Sequence, residues 1–458
     1  MVRFARHPTW KMNPHPRAFR IGTGAGFSSD RLGPAVDLAQ RGELDALVLE
    51  CLGERTVAFA HRDRMLDPAR GYDAHLDRRM RALLPVCKSA EVAIITNMGA
   101  ANPRAAAERT LALARELGLS GLTIGCIEGD DVSGQIGLDH PLLGEPGTLR
   151  DVGKPIVGMN AYLGIDSILP ALREKLNVII GGRLADPSMY LAPLVHHFGW
   201  RLDDYDLLGA GTLVGHLLEC GMQVTGGYFA DPGIKDVPDL AHCGYPIAEV
   251  AADGSAVITK LVGTGGCVTT ATVKEQLLYE VHDPTSYLTP DVAADFSSVA
   301  VEQVAADRVA VSSARGREGP RELKVTVGFD GGFLAEAGVS YAGPGSTARA
   351  RLAASVVTER FDDIGITSER RIDLIGVNSL FATAGVAAGE SEDVRVRVAL
   401  RTADRNEAEL MLWEVESLLC CGPAGGGGYR GSITPAVVTK SVLIDRRLVR
   451  SRTELFVA

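Results

Sequence analysis

Two polar side chains one helical turn apart, His216 and Glu219, stand out in the stretch GAGTLVGHLLECGMQVTGG. At about 100° per residue, Leu213, Val214, Leu217 and Leu218 form one side of a helix, and Thr212, His216, Glu219 and Gln223 line the other. A histidine and a carboxylate at this spacing can share a proton or hold a water, the chemistry of a general base and its acid or orienting carboxylate. A buried structural hydrogen bond is the competing reading. No Lys or Arg lies between Leu207 and Thr225, whereas a helix facing solvent normally carries some.

The residues that could join this pair come from loops after short apolar runs. The turn IGTGAGFSSD holds Gly22, Gly24 and Gly26, whose amides could meet a phosphate or carboxylate at a helix start. Glu50 ends DALVLE, where dinucleotide folds keep an acid for a ribose hydroxyl, although the glycine spacing is not the dinucleotide fingerprint. Asn97 and Asn102 follow EVAIIT, Glu128 ends GLTIGCIE, Asn160 ends PIVGMN and Arg183 follows NVIIGG. Asn97 and Glu128 join His216 and Glu219 as candidate catalytic groups; the others are candidate ligand-binding groups. A second glycine turn, GTGGCVTTATVK, adds Thr264, Gly265, Gly266 and Lys274 as a candidate anion cradle. Plain turn formation and helix capping are the bland alternatives for all of these.

Apolar runs alternating with helical segments imply a doubly wound, parallel, Rossmann-like α/β sheet. In it Asp186 and Pro187 start a helix that stops at Gly199. Beyond the polar link SSARGREGP, strands at 323–329, 335–341, 371–377, 394–400 and 436–444 alternate with helices at 346–361 and 406–420. Removing one strand leaves βαββαβ, a ferredoxin-like α+β plait. The expected organisation is a basic N-terminal arm (1–19), an α/β domain (20–315) and a ferredoxin-like domain (320–458). The loop CGPAGGGGYRGS, costly to order, is expected either to fold over a ligand or a neighbouring subunit or to be a mobile surface loop, and a homo-oligomer is expected.

The net charge of −10 argues against nucleic acid as the main partner. Eight cysteines without CxxC or Cys/His zinc spacing read as reduced thiols in a cytoplasm, with no metal site. No apolar run is long enough for a signal peptide core or a membrane span. Glycine, 52 of 458 residues, is enriched to about 11% against roughly 7% on average, in clusters that suggest backbone-lined ligand loops.

Taken together, IGTGAGFSSD, DALVLE, ITNMGAANP, GGRLADPSMYLAPLVHHFGW, GTLVGHLLECGMQVTGGYFADPG, GTGGCVTTATVKEQLLYEVHDP and GPAGGGGYR resemble the acyclic terpene utilisation family, the AtuA-like proteins, from about Arg20 to about Ile444. The resemblance implies a part in bacterial breakdown of branched acyclic terpenoid acids through their CoA thioesters, and a plait-like C-terminal domain. It transfers no catalytic residues, and the N-terminal arm lies outside its pattern. The expected function is an enzyme of branched carboxylic acid or acyl-CoA metabolism doing lyase, hydratase or isomerase chemistry next to a carbonyl, with a CoA thioester as substrate. The alternative is a non-catalytic acyl-CoA or nucleotide-binding subunit that works with a small protein partner. NAD-dependent oxidoreduction rests only on the Gly22 turn and Glu50.

Overall fold

The runs ALVL, AIIT and VIIG become adjacent parallel strands because each is apolar on both faces. The structure, a computed structural model, describes residues 18–380 and 391–458; most of the basic arm lies outside them. The first strands are β1 (Phe19–Ala25), β2 (Ala46–Leu49), β3 (Ala93–Thr96), β4 (Thr123–Glu128), β5 (Ile156–Ala161) and β6 (Val178–Gly181). Leu47, Ile94 and Val178 stand side by side in register and feed one core, while Val48, Ile95 and Ile179 feed the core on the other face. Alternate residues pointing to opposite faces, both covered by helices, explain why these strands lack polar alternation.

Helices α1 (Gly33–Arg41), α2 (Glu54–Leu66), α3 (Leu76–Ser89), α4 (Pro103–Glu116), α5 (Ile165–Arg173), α6 (Asp186–Phe198), α7 (Tyr205–Glu219) and α8 (Thr270–Leu278) accompany these strands. Gly199 ends α6 in the left-handed conformation, φ 66°, as the sequence implied.

The sheet departs from the all-parallel expectation. Its parallel part is β1-β2-β3-β6-β4; beyond β1 it continues through antiparallel β7 (Pro246–Val250), β8 (Ala256–Lys260), β12 (Arg308–Ser312) and β11 (Ala300–Ala305). Antiparallel β18 (Arg452–Val457) covers β4 at the other edge. Strand β5 does not enter this sheet. With β4 and β6 paired directly, no place is left between them, and β5 pairs with β14 (Glu322–Ala342) instead. A small sheet of β9 (Tyr287–Leu288), β10 (Val292–Asp295) and β13 (Arg315–Glu318) packs on α7.

Two compact units result. The first comprises residues 1–151, 158–327 and 440–458, and the second residues 152–157 and 328–439. The second has strands in the order β15 (Glu369–Ile375), β16 (Asp393–Thr402), β14 and β17 (Gly427–Asp445). Its core packs Val339, Val396 and Val398 with Ala353 and Phe361 of α9 (Ser346–Asp363) and Met411 and Val415 of α10 (Arg405–Cys421). The two strands expected at 323–329 and 335–341 are one, since Gly331 and Gly332 pass through without ending it. The glycine-rich stretch is shorter as a loop than expected, because Gly427 already belongs to β17 and Arg349 hydrogen-bonds the Ala424 carbonyl just before it at 2.9 Å. Among the described residues the protein is thus mixed α/β with ten α-helices, and no helix is long and apolar enough to cross a membrane.

Candidate active site

The loops at the carboxyl ends of β1 and β2, the start of α6 and the end of α7 enclose a cleft of about 660 Å³ in the first unit. Glu50, Asp186 and Glu219 line it, with Asp30, Glu280 and Arg31. Three acids from distant parts of the sequence meet here because β1 and β2 are neighbours in the sheet, α6 packs on both strands, and α7 packs on α6 and β1.

Glu50 is 8% exposed. Its Oε1 accepts hydrogen bonds from the Leu52 amide at 2.8 Å and Asn97 Nδ2 at 3.0 Å, and Asn97 in turn accepts from the Cys51 amide at 2.7 Å. Burial, and then the negative charge of Asp186, raise its pKa to about 8 despite those donors. Asp186 is held by a bidentate contact from Arg183, Nη1 to Oδ1 at 2.6 Å and Nη2 to Oδ2 at 3.2 Å. The guanidinium, buried at 2% exposure, lies 4.0 Å over the Tyr162 ring, while the Arg183 amide donates to Asp130 at 2.8 Å.

Glu219 presents the second displaced carboxyl, raised to about 7 chiefly by burial. Its Oε1 lies 3.0 Å from His216 Nδ1, and its Oε2 has no partner. The His216 tautomer follows from its other side. Nε2 lies 3.2 Å from the Leu277 carbonyl, which can only accept, so Nε2 carries a proton. Nδ1 then either accepts a hydrogen bond from the O–H of a neutral Glu219 or, as imidazolium, donates one to its carboxylate. His216 is 1% exposed and stacks with Phe296, centroids 5.7 Å apart. It stands behind the cleft, with Glu219 between it and the open space.

The remaining candidates fall into two groups. Gly26 lines the cleft, but its amide donates to Asp30 at 2.7 Å, so the anion this turn binds is its own aspartate. A Cβ at Gly26 would sit 2.4 Å from the Cys220 carbonyl carbon, so close approach of two backbones is what requires glycine. Gly22 and Gly24 lie inside β1 against Leu38, Leu44 and Leu49. Asn102 caps α4 and bonds the Pro68 and Arg70 carbonyls. Asn160 is buried between His61 and Asp130, at 2.6 and 2.9 Å. Glu128 is occupied by Arg104 and Arg452, at 3.3 and 3.0 Å, in a partly exposed ion-pair group.

The second glycine turn is not open as an anion cradle in this structure. Its Gly265 amide donates to the His242 carbonyl and its Gly266 amide to the Pro238 carbonyl. A Cβ at Gly265 would stand 1.9 Å from the Asp239 carbonyl oxygen. Thr264 bonds its own turn at Leu261, and Lys274 is exposed on α8. The polar stripe also ends sooner than the spacing implied: α7 stops at Glu219 and Gln223 belongs to a following 3-10 turn, though it still lines the cleft.

Sequence reasoning passed over Asp186, taken only as a helix start, and Arg79. The latter is 2% exposed and donates to the Ser28 and Asp30 carbonyls at 2.9 and 3.1 Å, fixing the Gly26 turn from behind. An arginine in an otherwise amphipathic helix gave no signal. Among the described residues no group of three or more His, Cys, Asp or Glu side chains could hold a metal ion.

A family model described as acyclic terpene utilisation family protein AtuA matches residues 19–455. No curated protein matches the chain. Among solved structures, the de novo designed protein Ferredog-Diesel is similar at 17% identity over 22% of this chain and 85% of that chain, with a TM-score of 0.16, too slight a likeness to bear on the fold.

Proposed function

This chain belongs to the acyclic terpene utilisation family, and we propose that it is an enzyme that moves a proton next to the carbonyl of a branched carboxylic acid or its CoA thioester, as a lyase, hydratase or isomerase does. One observation carries this reading: two carboxyls, Glu50 and Glu219, face one cleft with proton affinities displaced into the neutral range. A carboxylic acid that keeps its proton near pH 7 can donate to a developing enolate oxygen, and its ionised form can take a proton from carbon. Glu219 is the better base, since its buried Oε2 has no hydrogen-bond partner and His216 can hold or accept the proton through Oε1. Glu50 then serves as the acid, oriented by Asn97. Arg183 and Asp186 form a fixed ion pair whose charges cancel, which keeps the cleft from being strongly anionic.

A second reading draws support from the cleft mouth, where Phe27, Tyr228 and Leu240 are exposed at 56%, 85% and 42%. Such apolar rims suit a partner protein as well as a substrate tail, and in that case the chain is the acyl-CoA-binding subunit of a two-protein enzyme. The same proposal takes the first unit as Rossmann-like with antiparallel additions, the second as a ferredoxin-like plait, and the working form as a homo-oligomer.

The test is incorporation of solvent deuterium at the carbon next to the carbonyl, followed by NMR over a set of branched acids and their CoA thioesters. Exchange by the wild type that disappears in Glu219→Gln supports the enzyme. Absence of exchange with every compound, restored by a copurifying protein, would replace it with the partner-dependent reading.

A further inference from the structure

At the opposite end of the parallel core a second cleft, of about 650 Å³, opens between the starts of β1, β2 and β3 and the last turns of α5 and α6. Its floor is apolar, made by Phe19, Val92, Leu172, Leu176 and Pro193, and its rim carries Lys88, Lys175, His196 and His197. Clefts of this size are ordinary for small ligands.

The cations have a local explanation up to a point. Lys88 lies in the last turn of α3, and His196 and His197 in the last turn of α6, where positive charge complements the helix dipole. That accounts for a cation at each helix end. It does not account for their convergence on one cleft, where Lys88 donates to the Ser120 carbonyl and to no carboxylate. Among the described residues, Lys175, His196 and His197 form no ion pair. Of the two carboxylates in the lining, Asp45 is turned to the Arg20 amide at 2.7 Å, and Glu91 is exposed at the edge. His196 has its pKa lowered first by burial and then by Arg173, His197 and Lys175, so it favours the neutral imidazole, and a carboxylate beside it would favour its protonation.

We infer that this cleft is a second binding site, separate from the carboxylate-lined one, for a small amphiphilic carboxylate whose charged end meets Lys175 and His196 and whose apolar body lies over Phe19, Leu172 and Pro193. An apolar floor under a cationic rim selects for both properties at once. A simple anion gains no burial here, and a neutral apolar molecule leaves the cations unrelieved.

The experiment is calorimetric titration of the full chain with octanoate, 1-octanol and acetate. Octanoate is expected to bind at least about tenfold more tightly than either of the others, since each lacks one half of the recognition. Lys175→Glu reverses a charge and His196→Glu adds a negative one, both at exposed positions. Each should weaken octanoate by about tenfold or more with the circular dichroism spectrum unchanged, while Glu219→Gln leaves this site intact. No octanoate binding, equal binding of 1-octanol, or an affinity lost in Glu219→Gln but kept in both Lys175→Glu and His196→Glu would overturn the inference. Should either of those two fail to fold, the other with Lys175→Ala decides, the alanine variant being expected to show a smaller loss.

Discussion

At the carboxyl ends of its parallel strands this protein gathers Glu50, Asp186 and Glu219; at the amino ends it gathers Lys88, Lys175, His196 and His197. The clefts are nearly equal in volume, yet they treat charge in opposite ways. Glu50 and Glu219 are held away from water and lower the cost of burial by keeping their protons, while the partly exposed Asp186 is paired with Arg183. The lysines and histidines stay at the rim, where water solvates them. A buried, displaced carboxyl is equipped to exchange a proton, whereas an exposed cation is equipped to attract a ligand. The comparison therefore assigns chemistry to the first cleft and only binding to the second.

The largest effect that could break this assignment is the loss of Glu219. Glu219→Gln should lower turnover by about 10²- to 10⁴-fold, the usual contribution of a positioned acid or base, with little change in melting temperature. A variant that keeps wild-type kcat would move the chemistry elsewhere. His216→Ala should act mainly on stability, by about 2–4 kcal/mol, because it opens a cavity beside Phe296 and Tyr287. Urea unfolding measures this, and an unchanged midpoint would mean that His216 is not the support the packing implies.

Arg183→Met leaves Asp186 without its bidentate partner. The aspartate side chain is 29% exposed, so water screens part of the penalty and a loss of about 2 kcal/mol is expected. Activity should fall as well, since Asp186 raises the proton affinity of Glu50 and loses the charge that balances its own.

A smaller effect concerns pH. The Glu50 and Glu219 carboxyls lie above their ordinary value of 4.5 in the fold. The stability they contribute is thus fully present below about pH 4.5 and is lost as pH rises through 7 and 8. The ligand-free melting temperature should decline from pH 6 to 9, and the decline should flatten in Glu50→Gln. A melting temperature that rises over this window contradicts both shifts. The smallest effect is expected on α8 after the second glycine turn, where Lys274→Ala should alter neither turnover nor melting, because the side chain is exposed and is not part of the cleft lining.

Much of the frame is legible in the chain itself. The runs ALVL, AIIT and VIIG read as doubly covered strands because helical segments alternate with them, and the Asp186–Pro187 start and Gly199 stop of α6 follow from backbone conformation. The pairing of His216 with Glu219 follows from helical spacing. Convergence was legible only in part. Glu50 was expected to join Glu219, but the place of Asp186 beside them depends on how α6 packs on β1 and β2 and α7 on α6, and that packing leaves no local pattern. The glycine turns misled for a physical reason: Gly26 and Gly265 are required by close backbone approach inside the protein, and sequence shows the need for glycine without showing what approaches it. Strand β5 misled because a short apolar run reads the same whether it enters the main sheet or pairs outside it.

The central claim, that two buried glutamic acids hold protons near neutral pH, is open to direct observation. Infrared spectra of protein carrying ¹³C-carboxyl glutamate resolve the carbonyl stretch of protonated glutamic acids from that of carboxylates. Two protonated glutamic acids should persist at pH 6, titrate between about pH 6.5 and 8.5, and disappear one each in Glu50→Gln and Glu219→Gln. A spectrum in which every glutamate is ionised at pH 6 would contradict the account.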